Sequence, residues 1–458
     1  MAQRPYVANA AQLASHGERG LRKLALDVIE HALAAADPYA AVRRQVQREG
    51  HVLFVDGHRI PLPEQGRVLF IGAGKASYPI AKAVEEILGD RLATGILICK
   101  YGQPGELDRV RMVHAAHPIP DRAGAEATRS IIELVRTCGP DDLLIAAITG
   151  GSSALAGLPS EPITLADYAA TTRRLLECGA NIFEINAVRK HVALVGGGKL
   201  VQLMHPRARL VNLTVSDVIG DRLDYITDLT VPDTSTLADA RATLDRYALW
   251  DAVPQSVRTF FQPGGMAQET PKTFSRPQMD VLLLSAATAC EAAARRGKEL
   301  GLHSAILSTR FEGESRELGY NFAAIATEVA RAQRPLAAPA LLVGGGETTV
   351  RLNGVAAGAG GPNQEFAAAA AVALDGVANA LVVGMDTDGT DGPTDIAGAM
   401  IDGQTMTHAR AAGVNLLREL ERHNVTPALR QLDEAIVTGA TGTNVNDLKF
   451  ALVACDVV

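Results

Sequence analysis

The sequence predicts an α/β protein built on a mostly parallel sheet with helices on both faces. Two observations predict this. Short apolar runs rich in Val, Ile and Leu alternate with amphipathic segments of helical period. Glycine is abundant, at 43 residues, while aromatics are only 4%, a balance that suits close backbone approaches at strand-to-helix turns. At 458 residues the chain is long enough for two or three domains and a large core.

The elements follow in order. Leu21, Leu24, Leu26, Val28, Ile29 and Leu33, with charges between them, mark an amphipathic helix over Leu21–Ala36. Val68–Gly72 reads as a strand and Lys75–Leu88 as a helix, with another apolar run at Thr94–Cys99. Asp121 caps a helix over Ala123–Val135. The Asp142–Ile148 strand runs into Thr149-Gly150-Gly151-Ser152-Ser153, Leu165–Leu176 is helical, and Arg209–Ser216 is a strand ending at Asp217. Phe260–Met279, rich in Pro, Gly, Gln and Thr, reads as a linker. This gives an N-terminal domain over 1–258, a linker over 259–279 and a smaller α/β domain over 280–458. In the latter, strands are expected at Val281–Ser285, Ala305–Leu307, Ala340–Val343 and Leu381–Val383, and helices at Ala286–Leu300 and Arg316–Arg331.

Composition excludes several function classes. A net charge of −7 argues against nucleic acid as a partner. The N-terminal stretch lacks the apolar core of a secretory signal, and no apolar run reaches membrane-spanning length. Five cysteines without a CxxC pair argue against a zinc site and a disulfide framework, and fit a reducing cytoplasm.

The polar motifs stand at strand ends, where such sheets bind ligands. Gly72-Ala73-Gly74-Lys75 opens a helix, whose N-terminus favours an anion, and offers a cation there; its two glycines let the backbone approach a ligand. It is neither a dinucleotide fingerprint nor a Walker A loop, and a plain tight turn is the bland alternative. The turn through Gly150, Gly151, Ser152 and Ser153 is a candidate nest for phosphate oxygens, or a simple glycine turn. Asn186, Arg189 and Lys190 lie within one helical turn and suit an anionic substrate, unless they form a solvated helix face. Asp217 and Asp221 share one turn and suit Mg²⁺; a helix cap and a turn residue are the alternative. Gly344-Gly345-Gly346 before Glu347 demands a packing or ligand reason, and Asn363 is a candidate helix cap. Asp386–Asp395, with Asp386, Asp388, Asp391 and Asp395, is costly unless a metal, a Lys or Arg, or a substrate ammonium relieves it. A cleft between the two domains would join anion-binding backbone to metal-binding carboxylates, which is what phosphoryl transfer requires.

These motifs together resemble the class II glycerate 2-kinase family. The resemblance spans most of the chain and also takes in His117-Pro118-Ile119-Pro120-Asp121, Asn186–His191 and Gly361-Pro362-Asn363-Gln364-Glu365. It implies a Rossmann-like three-layer N-terminal domain, a C-terminal MOFRL domain, and an active site in the cleft between them. The implied activity is ATP- and Mg²⁺-dependent phosphorylation of a small hydroxy acid, D-glycerate to 2-phosphoglycerate by default. The expected catalytic residues are Lys75, Arg189 and Asp217, with Asp217 and Asp221 on the metal. Gly72, Gly74, Gly150, Gly151, Ser152, Ser153, Glu347 and Asn363 are expected at the nucleotide, and Asn186, Lys190, Asp388 and Asp391 at the substrate. The expected partners are the hydroxy acid and ATP, with no nucleic acid and no membrane; a homodimer is left open.

Three positions depart from the family pattern. Gly196 and Pro362 stand where Lys and Arg are usual, and Asp228 adds a negative charge. Lys199 is the nearest substitute for the missing lysine. The alternatives are therefore a kinase for another sugar acid, a non-catalytic member that binds nucleotide or sugar acid, or an NADP-dependent hydroxypyruvate reductase.

Overall fold

The apolar runs form two separate six-stranded sheets, together with a small three-stranded antiparallel one, among the residues described in this computed structural model, 5–352, 354 and 357–455. The chain divides into two compact units, one of residues 38–283 and one combining the residues up to Asp37 with those from Leu284 onward.

In the 38–283 unit the sheet runs Val110–Ala115, Leu92–Lys100, Val68–Ala73, Leu143–Ile148, Arg209–Val215 and Gln278–Leu284. The pairs among its first five strands are parallel, with Ile71 opposite Ile96 on one side and Ala146 on the other. Every residue of Val68–Ala73 and of Leu143–Ile148 is buried, as expected of central strands covered on both faces. Helix Arg122–Arg136 begins at Asp121, whose carboxylate accepts the Gly124 N–H at 3.0 Å. Helix Ile182–Val192 starts at a reciprocal cap between Asn181 and Glu184. The antiparallel strands Val46–Glu49, Val52–Val55 and His58–Pro61 were not anticipated from the sequence. They are four residues each and only partly buried, so their apolar signal is thin.

The other unit is differently wired. Its order is His303–Phe311, Ala340–Gly346, Asp447–Val453, Ala380–Asp386, Gly398–Asp402 and Ala435–Ile436. Only the first pair is parallel. Asp447–Val453 lies in the middle, so Asp447 stands opposite both Gly346 and Asp386. Helix Pro362–Ala373 covers one face with six consecutive buried residues, Phe366–Ala371.

The division differs from the expected 1–258, 259–279 and 280–458. Helix Arg19–Ala35 packs its Ala25, Ile29 and Leu33 against Ala293, Leu381 and Phe450 in the C-terminal unit. The Arg296 guanidinium fixes it with two 2.9 Å bonds to Asp27. The proline-rich stretch is no free linker. Thr270 Oγ1 donates to Asp233 Oδ2 at 2.8 Å, Asp233 N–H donates to the Pro271 carbonyl at 2.9 Å, and Gln278–Leu284 closes the edge of the first sheet. Proline and glycine there report irregular backbone, which side-chain hydrogen bonds hold as firmly as a ladder would. Among the described residues no helix is long and apolar enough to cross a membrane.

Candidate active site

The candidate site lies at the carboxyl edge of the parallel sheet. There the chain leaves Val68–Ala73, Leu143–Ile148 and Arg209–Val215 as polar turns. Gly74 needs no side chain and has none to spare space for: its φ is +138° and a Cβ would overlap Thr149. The two turns are tied together. Lys75 N–H donates to the Gly150 carbonyl at 2.9 Å, Ala76 N–H to Thr149 Oγ1 at 3.2 Å, and Ser77 Oγ to the Ala147 carbonyl at 2.8 Å. The glycine-rich edge is therefore a fixed surface.

Asp217 reaches this surface from the third strand. A Cβ on Gly150 would overlap its carboxylate, so glycine is what lets the acid approach the turn. Gly151, at φ +88°, has His117 Nε2 3.2 Å and Lys75 Cγ 3.6 Å from the place where a Cβ would stand. Lys75, His117, Gly150, Gly151 and Asp217 thus converge. Gly72 sits within the sheet under Leu97 and acts on the site only through packing. Ser152 is buried at the first position of the short helix Ser152–Leu155, and Ser153 Oγ donates to Asp228 Oδ2 at 3.4 Å. Asp221 stands in a left-handed turn at φ +55°, its N–H on the Val218 carbonyl.

Asp228 leads to helix Ile182–Val192. Its Oδ1 accepts the Gly197 N–H at 2.6 Å and its carbonyl the Gly198 N–H at 2.7 Å. Burial pushes its carboxyl above the ordinary range, while Lys190 and the Gly197 N–H work against that. Around it Lys190, Arg189 and Lys199 face Asp224, Asp228 and Asp233, and Arg222 also pairs with Asp224 at 3.7 Å. Asp228 therefore closes a network that already holds cations, and the expected charge penalty does not arise from it alone.

Two sequence assignments are corrected here. Lys190 is not a substrate cation. It is 1% exposed, with its ammonium 2.8 Å from Asp233 and 3.3 Å from Asp224, above the Tyr225 ring. Lys199 does not replace the missing lysine. Its ammonium donates to the His191 carbonyl at 3.3 Å and to the Ala193 carbonyl, closing the helix C-terminus, and burial draws its pKa down to about 8. Asn186 and Arg189 behave differently. Arg189 is hydrogen-bonded to Tyr168. Its Nε and Nη2, like Asn186 Oδ1 one turn earlier, are buried without a hydrogen-bond partner among the described residues. Such groups are costly unless a ligand completes them.

In the other unit the motifs serve the fold. Gly344 lies 2.8 Å, measured from a would-be Cβ, from the rings of Phe311 and Phe322, and Gly345 lies 2.7 Å from Cys290 Sγ. Glu347 is exposed just beyond the strand, its N–H on the Phe311 carbonyl at 2.9 Å. Asn363 is not placed for a nucleotide. It is 1% exposed, donates to Asp391 and Asp447, and accepts from Lys449 Nζ at 2.8 Å. Asp391 is not placed for substrate. Its carboxylate caps helix Pro362–Ala373 by accepting the N–H groups of Asn363 at 3.0 Å and Gln364 at 2.9 Å. Burial pushes its pKa up to about 6. Asp388 accepts from the backbone and hydroxyl of Thr390, as a turn residue does. Arg430 serves Asp395, while Lys449 pairs with Asp447, the ladder partner of Asp386. Burial, followed by Asp388 and Asp447, still holds Asp386 well above the ordinary carboxylate range.

Sequence reasoning missed Lys449 because its ladder partners, Gly344 and Gly384, are remote in the chain. His117 carried a signal, since it precedes the Asp121-capped helix within a recognised motif, but nothing in that motif showed its ring meeting Gly151.

Comparison with known proteins bears on the family of the chain. Residues 24–262 match DUF4147, described as a domain of unknown function, and residues 340–447 match the MOFRL family. The chain is 39% identical over 436 residues to a glycerate 2-kinase of Pyrococcus horikoshii, covering 94% of this chain and 97% of that protein. It is 40% identical over 389 residues to a protein of Agrobacterium vitis whose name proposes hydroxypyruvate reductase activity, covering 85% and 100%. A crystal structure of glycerate kinase from Thermotoga maritima superposes with a TM-score of 0.82 at 36% identity, covering 95% of this chain and 100% of that one. Two domain families in order, and homologues matched across nearly their whole length, place this chain in the glycerate 2-kinase family.

Proposed function

We propose that the protein transfers the terminal phosphoryl group of ATP to a small hydroxy acid, converting D-glycerate to 2-phosphoglycerate. The observation that carries this reading is the convergence of Lys75, the Gly150–Gly151 turn and Asp217 on one fixed strand edge. Phosphoryl transfer asks little covalent chemistry of a protein; it asks for positioning and for neutralised charge.

In this reading the backbone N–H groups at Gly150, Gly151 and Ser153, with the Ser152 hydroxyl, cradle phosphate oxygens; the Ser152 N–H is spent on the Thr149 carbonyl at 3.2 Å, and Gly74 lets the first turn pack against Thr149. Lys75 offsets charge on the transferring group. Arg189 Nε and Nη2 hold the acid's carboxylate, and Asn186 Oδ1 accepts from its hydroxyl. Asp217 offers hard oxygen donors beside an anion-binding turn, which fits Mg²⁺; Asp221 is the second proposed ligand. When bound, Mg²⁺ neutralises charge on the phosphate oxygens.

ADP release with Mg·ATP and a panel of D- and L-glycerate, tartronate, erythronate, threonate and hydroxypyruvate tests the proposal. Turnover with D-glycerate and recovery of 2-phosphoglycerate support it. Turnover restricted to another acid corrects the substrate. Oxidation of a reduced nicotinamide by hydroxypyruvate without ADP release overturns it.

A further inference from the structure

We propose that His16, His408 and Glu434 form a binding site for a zinc-class divalent metal ion that clips the N-terminal segment onto its own unit. One ligand atom from each lies within 4.8 Å of the others, and His16 Nε2 is 3.4 Å from Glu434 Oε2. Ligands about 2.0–2.1 Å from a tetrahedral zinc lie about 3.3 Å apart, so this edge already has the right length. The two imidazole rings are 5.7 Å apart between centroids.

Each side chain is held by the fold. His16 sits in the turn before helix Arg19–Ala35. There Gly17, at φ +57°, lets the backbone press on Asp402, whose Oδ2 is bound by Arg22 Nε at 2.7 Å. His408 lies on helix Thr405–Ala411. Glu434 is fully buried ahead of Ala435–Ile436, and Thr405 Oγ1 orients it by donating to its Oε1 at 2.8 Å. That support is the kind metal-binding carboxylates receive.

A second observation points to a missing ligand. Glu434 Oε2 and His16 Nε2 are buried atoms without a hydrogen-bond partner among the described residues, although both sit in ion-pair range. Arg22 lies 2.7 Å from Glu434 Oε2, but this guanidinium also serves Asp402. One cation against two carboxylates leaves a net negative charge facing two imidazoles. A carboxylate oxygen has two lone pairs and can serve both the guanidinium and a metal. Two imidazoles and one carboxylate suit zinc with water in the fourth position.

The test uses the full chain, freed of metal by dialysis against chelator and titrated calorimetrically with zinc chloride, beside H16Q and H408Q. Both histidines are partly exposed, so these variants should fold, whereas replacing Glu434 would strand Arg22. The expected result is one zinc site in the wild type, at least about tenfold weaker in each variant, with a zinc-dependent rise in Tm confined to the wild type. Cobalt should give a spectrum of nitrogen and oxygen ligation. Equal zinc binding in all three proteins, no binding by the wild type, or a cobalt–thiolate band from the free cysteines would each overturn the proposal.

Discussion

The glycine-rich strand ends of the two units look alike in sequence and are put to different use. In the 38–283 unit, glycine admits polar groups: Asp217 against Gly150, and His117 with Lys75 against Gly151. In the other unit, Gly344 and Gly345 admit Phe311, Phe322 and Cys290. Acids divide in the same way. Asp217 packs against the Gly150 turn, whereas Asp391 is consumed in capping a helix. A glycine reports that something comes close; the identity of the neighbour decides whether the result is a site or a core.

The comparison can be broken by substitution, and the largest effect falls on a residue assigned to structure. Lys190→Met leaves Asp224 and Asp233 buried without their cation, and should cost about 3–5 kcal/mol in a denaturant titration. A fully stable variant with weakened substrate binding would return Lys190 to the site. Gly150→Ala should lower kcat/KM by about 100-fold or more, because it displaces Asp217, with little change in Tm. Its counterpart Gly345→Ala should do the reverse. It overpacks Cys290 and should cost about 1–3 kcal/mol while the folded fraction keeps its kcat. Matching outcomes for the two glycines would erase the distinction.

The smallest effect is a dependence on pH. Burial raises the Asp391 pKa to about 6 from an ordinary 3.8. Between these values the folded protein binds more protons than the unfolded chain, so this group's contribution weakens as pH rises through that window. Wild type minus Asp391→Asn stability, from urea midpoints, should therefore narrow from pH 4.5 to pH 7.5. A gap that stays constant across this range would show Asp391 to be ionised throughout, held so by the helix N-terminus it caps.

Much of the fold was legible. The alternation of buried runs and amphipathic helices placed Val68–Ala73, Leu143–Ile148 and Arg209–Val215 nearly to the residue, because central parallel strands must be apolar on both faces. Asp121 announced its helix through a local hydrogen bond. The grouping of the residues up to Asp37 with those from Leu284 onward was not legible, because helix Arg19–Ala35 meets Ala293, Leu381 and Phe450 only through space.

The sequence by itself determined the family and the places of Lys75, Gly150 and Asp217, each just beyond the end of an apolar strand, because each of those places depends on residues near it in the chain; the structure brought the three together. Only the tertiary structure decided which charges are spent. Lys190, Lys199, Asn363 and Asp391 all read as ligand-binding groups. Each is instead paired with a carboxylate, carbonyl or amide, several of them brought from tens of residues away. The same long-range folding sets His16 beside His408 and Glu434. A charge seeks its partner through space, and no local pattern in the chain records where that partner will be.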